Sequence, residues 1–89
     1  MARLSFTANL HRHGTFPGGP VAGATVAEVL ANAFTGNARS KDYILDEHGA
    51  LRKHMVIFVD GALIQDRIRL SDPVSPTSHI HVFQALSGG

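Results

Sequence analysis

The sequence predicts an α+β fold in which a mixed sheet of four to five strands packs on one main helix. Three observations carry this. A capping signal followed by an apolar stripe marks one helix over residues 25–34. Alternating segments at residues 3–9 and 79–85 mark strands near the two ends of the sequence. An apolar run at residues 55–59 stops on Asp60-Gly61, a two-residue hairpin turn.

The elements follow in order. Leu4, Phe6 and Ala8 alternate with Arg3, Ser5, Thr7 and Asn9, as in a strand with one wet face. Residues 11–20 are rich in Gly and Pro and read as a turn into a short return strand at 20–22. Thr25-Val26-Ala27-Glu28 fits the capping box, in which the Thr hydroxyl accepts from the N3 backbone N–H and the Glu reaches back to the cap. Val26, Val29, Leu30, Ala33 and Phe34 then form one apolar face, and Gly36 stands where a helix stops. Residues 37–41 read as a polar connector and 43–45 as one helical turn. Asp46-Glu47-His48-Gly49 reads as a turn. The run 55–59 is continuous enough for a strand buried on both faces, with a short return at 62–64. Ile68 and Leu70 are expected to plug a core edge, and 71–78, with Pro73 and Pro76, to be loop. In the last strand, Ile80 and Val82 share one face, and His79, His81 and Phe83 the other. Burying the first and last strands is simplest if they lie side by side at the sheet centre, the β-grasp arrangement. Residues 1–85 then form the domain, and 86–89 a flexible tail.

Composition narrows the function. The 89 residues make one domain, and 44% hydrophobic with 17% charged residues is ordinary for a folded protein. The net charge is +1, and the basic residues are scattered rather than gathered in a stripe, so no nucleic-acid partner is expected. The chain has no cysteine. That excludes disulfide scaffolds, thiolate zinc sites and a thiol nucleophile. No signal peptide or membrane-length apolar run is visible, so the expected location is the cytoplasm.

Few residues carry chemistry. Gly88-Gly89 has no side chains and wide backbone freedom, so a carboxylate on it can thread a narrow channel. His11-Arg12-His13 and His79-Ile80-His81 are both H-x-H, but neither has a spaced third ligand, so no metal site is expected. His79 and His81 serve better beside Phe83 on a partner-docking face, with Phe58 a further candidate. Asp46, Glu47, Asp60, Asp66 and Asp72 all fall at turns or in loops, where local hydrogen bonding accounts for them. Gly18-Gly19 precedes a strand rather than a helix and is no phosphate loop. No carboxylate pair or nucleophile–base motif is present, so the chain is not expected to be an enzyme.

The residues resemble the ThiS/MoaD group of ubiquitin-like sulfur carriers, in particular the branch linked to cysteine biosynthesis. Three stretches carry the resemblance: residues 25–30 at the helix opening, residues 44–61 through turn, strand and hairpin, and the closing Gly88-Gly89. The sequence departs from the group where residues 73–78 replace a Gly-Asp pair, where Asp60-Gly61 replaces Asn-Gly, and where Gln84-Ala85-Leu86-Ser87 replaces a Pro-rich lead-in. The resemblance implies a carrier that binds no cofactor itself. An E1-like enzyme using ATP and Mg would adenylate the Gly89 carboxylate. Sulfur from a donor would displace AMP to leave a thiocarboxylate, with Gly88 and Ser87 needed for threading. An acceptor enzyme of cysteine, thiamin, molybdopterin or specialised-metabolite synthesis would take the sulfur. Two alternatives stand beside it: a ubiquitin-like modifier conjugated through Gly89, and a β-grasp binding module with an inert tail.

Overall fold

Ala2, Leu4 and Phe6 lie on one side of an extended segment, the first two buried and Phe6 half-buried, and all three pack into the core to which a helix contributes Val26, Val29 and Leu30. The structure is a computed structural model that describes residues 1–8, 10, 14, 16 and 18–85. Its elements are β1 (Ala2–Phe6), β2 (Gly19–Val21), α1 (Val26–Ala33), α2 (Ala38–Ile44), β3 (Met55–Val59), β4 (Ala62–Leu63) and β5 (His79–Gln84). The five strands form one sheet in the order β2-β1-β5-β3-β4. The first and last strands pair in parallel at its centre, with Arg3 opposite His79 and Phe6 opposite Val82. All other pairings are antiparallel. This is the β-grasp arrangement read from the sequence.

Helix α1 begins with a shifted form of the expected capping box, in which Glu28 reaches the N–H of Ala24, one residue before the Thr25 cap. Glu28 N–H donates to Thr25 Oγ1 at 3.2 Å, and Ala24 N–H donates to Glu28 Oε1 at 2.9 Å. Asn32 Nδ2 adds a hydrogen bond to the Ala22 carbonyl at 2.7 Å. Val26, Val29 and Leu30 are buried with Leu4, Met55, Ile57, Ile80 and Val82 of the sheet. Each such side chain contributes about 1.5–3 kcal/mol by leaving water. The β3–β4 hairpin is also as expected. Asp60 and Gly61 have φ of 52° and 85°, and Val59 pairs with Ala62 across them. Two successive positive φ values match the twist of the flanking strands.

Four expectations need correction. Residues 38–44 form a complete short helix, not a connector followed by one turn. Only Ser40 and Ile44 are buried on it, so the sequence shows no apolar stripe. Strand β3 is not buried on both faces: Met55 and Ile57 are buried, whereas Val56, Phe58 and Val59 are half-buried. The helices cover one side of the sheet and leave the other open. Ile68 is 69% exposed while Leu70 is 1% exposed, so Leu70 alone plugs the core edge. Asp66 explains that split. Its carboxylate accepts from Ile68 N–H and Arg69 N–H, curling the segment so that Leu70 N–H reaches the Asp66 carbonyl at 3.1 Å. Finally, Ala8 lies beyond β1 and is exposed, so that strand is shorter than read.

Candidate functional site

The open side of the sheet brings the candidate docking residues together. A strand sends alternate side chains to opposite faces, so the burial of Ile80 and Val82 puts His79, His81 and Phe83 on the open one. Register then fixes their neighbours: Phe58 and Ser5 lie opposite His81 on either side, and Val56 lies opposite Phe83. Leu63 of β4 extends the row beyond Phe58 and is 58% exposed.

The side chains are in contact. The rings of Phe58 and Phe83 meet edge to face, with centroids 5.4 Å apart and planes at 82°. His79 and His81 stack at 3.9 Å, and His81 lies over Phe83 at 6.0 Å. Ser5 Oγ and His79 Nε2 share a hydrogen bond of 3.0 Å. Phe58, Gly61, His81 and Phe83 enclose a shallow hollow of about 240 Å³. Phe83 leans on a neighbouring strand, yet is still 38% exposed.

Strand β5 leaves the sheet at the other end of this row. Gln84 is its last paired residue, opposite Met55, and Ala85 N–H donates to the His54 carbonyl at 2.7 Å. A second, polar hollow of about 320 Å³ is lined by Asp46, Leu51, Arg52, Lys53 and His54. The backbone N–H groups of His48 and Ala50, with lesser help from the charges of His48 and Arg52, hold the Asp46 carboxyl below the usual carboxylate range. Nothing in the sequence links this corner to the strand exit; the β3–β5 register brings His54 beside Ala85. Ser87, Gly88 and Gly89 lie outside the described residues. So do His11, Arg12 and His13, the first H-x-H. Among the described residues no three His, Cys, Asp or Glu side chains gather as metal ligands. No helix among them is long and apolar enough to cross a membrane.

No family model matches the sequence. No curated protein matches it either. Solved structures do match. A chain of the Amycolatopsis orientalis BexX/CysO complex superposes with a TM-score of 0.82 at 21% identity, covering 100% of both chains. Mycobacterium tuberculosis CysO, described as an antigen, gives 0.78 at 16% identity over 97% of this chain and 100% of its own. The small archaeal modifier protein 1 (SAMP1) of Methanosarcina acetivorans gives 0.77 at 21% identity over 99% and 95%. At such identities the likeness is one of fold, and the chain is a ubiquitin-like β-grasp domain of the same build and size as CysO and SAMP1.

Proposed function

We propose that this protein is a ubiquitin-like sulfur carrier that works through its C-terminal Gly88-Gly89. The observation that carries the reading is the place of β5. It is the central strand, gripped on both sides, and its direction leads the chain out of the sheet at Gln84 towards the two glycines. The likeness to CysO in fold and length supports it.

A carboxylate resists nucleophiles until it carries a good leaving group. An E1-like enzyme would supply one by joining Gly89 to the AMP moiety of ATP, with Mg assisting and pyrophosphate departing. Sulfide would then attack the acyl carbon and expel AMP, leaving the thiocarboxylate. A persulfide donor would need a second thiol to free the sulfur. In this scheme the chain contributes a stable fold, a docking face around Phe58 and Phe83, and an unhindered end. The acceptor is a biosynthetic enzyme, and the cytoplasm is the compartment in which these partners would meet.

The test is intact mass after incubation with ATP, sulfide and the activating enzyme. A gain equal to oxygen replaced by sulfur, mapped to Gly89 and lost when Gly89 is deleted, is the expected result. An unchanged mass with an enzyme that is active on another carrier would refute the reading. The likeness to SAMP1, a small archaeal modifier protein, favours a second reading in which the same activated end forms an isopeptide with lysine. Gly89-dependent conjugates on immunoblots would select it.

A further inference from the structure

We propose that the open face binds a short acidic segment of a partner protein, one that presents a single large apolar side chain flanked by carboxylates. The inference rests on the docking role given to this face above and adds the chemistry of what docks. The hollow of about 240 Å³ between Phe58, Gly61, His81 and Phe83 has room for one bulky side chain. Its aromatic walls give such an anchor a dry contact.

The surroundings decide what must accompany that anchor. Arg3 lies opposite His79, and Ser5 opposite His81, in the parallel β1–β5 register. The row beside the hollow therefore offers the Arg3 guanidinium and the His81 imidazole, while the Ser5 hydroxyl and the His79 ring already hydrogen-bond each other at 3.0 Å. None of the strand positions that share this face holds Asp or Glu. Asp60, at the hairpin, is already committed through Oδ1 to the His79 backbone N–H at 2.8 Å. His81 makes ring contacts on this face, and no hydrogen bond satisfies its nitrogens among the described residues. A purely apolar partner would cover these donors and leave them unpaired, which is costly. A basic partner would meet Arg3. Carboxylates beside the anchor satisfy the donors and complement the charge.

The test uses the full chain, isotopically labelled for NMR, and two synthetic peptides. One carries a single Leu between paired aspartates, and the other has asparagine at each aspartate. The acidic peptide is expected to bind about tenfold or more tightly than its neutral twin, as one charge-assisted hydrogen bond would provide. Shifts should fall on β1, β3 and β5. Phe83→Ala should weaken both peptides, and the double variant Arg3→Ala, His81→Gln should erase the difference while keeping a folded spectrum. Equal affinities, no binding, or shifts on the helices would overturn the proposal. ATP–pyrophosphate exchange with the activating enzyme, run on the same samples, separates the two ideas. Exchange without peptide binding sinks this inference alone; peptide binding without exchange sinks the carrier reading alone.

Discussion

At Gly23 the chain has no room for a side chain. A Cβ there would lie 2.7 Å from both Val29 Cγ2 and the Val29 backbone nitrogen, on a backbone with φ of 153°. Gly61 also has a positive φ, 85°, but nothing stands within 4 Å of its Cβ position. Gly61→Ala is thus expected to cost about 1–2 kcal/mol from backbone strain alone. Gly23→Ala should cost more, because strain and overpacking, each about 1–3 kcal/mol, act together. Urea denaturation of the two variants measures the difference. Asp66 gives a pH prediction. The Arg69 N–H and Ser71 hydroxyl, aided by the Ile68 N–H, lower its carboxyl from 3.8 to about 2. A lowered folded-state value means the stabilisation is present above pH 3.8 and disappears as pH falls towards 2. Asp66→Asn should therefore flatten the acid limb of the pH–stability curve and lower the plateau above it. Chemical denaturation at a series of pH values checks this.

Among elements, α1 was legible because its signals agree: a Thr–Glu capping box, an apolar stripe and a stop at Gly36. Removing the cap tests that logic. Thr25→Ala is expected to cost about 1 kcal/mol, read as a lower denaturation midpoint with an unchanged slope. Helix α2 was not legible. Ser40 and Ile44 are its buried residues, and Asn37 makes no side-chain hydrogen bond to the helix start. Neither periodicity nor capping announces it, and tertiary packing holds it. Leu10 and Phe16 escaped notice for a related reason. Both are buried, yet they sit in a stretch whose Gly and Pro conceal any period. Phe16 joins Phe6, Phe34 and Tyr43 in an aromatic cluster that only the folded chain assembles. The continuous run of β3 reads as burial on both faces because Phe58 is apolar, whereas its side chain lies half-buried on the open side.

At the scale of the whole molecule, the sheet depends on one pairing between residues far apart in sequence. β5 links β1 to β3, so without it the sheet falls into two hairpins. Isolated two-stranded hairpins are marginal in water. A chain ending at Ser78 is expected to show no cooperative thermal transition, by calorimetry or circular dichroism. Topology was readable from sequence because a first and a last strand, each with one apolar side, have few ways to bury it. The open face was half readable. Alternation placed His79, His81 and Phe83 together, but the hollow and its ring of donors depend on register with β1 and β3.

The central place of β5 has a mechanical consequence. Any machine that pulls on residues beyond Ala85 loads this strand along its length. Its hydrogen bonds to β1 and β3 run across that direction, so they are strained together in shear instead of opening one by one. Both neighbours must yield at once, and the hydrophobic layer under Ile80 and Val82 must open with them. Whatever follows Ala85 is thus anchored in the part of the domain that best resists extraction, so a pull on it can be borne and released without unravelling the sheet.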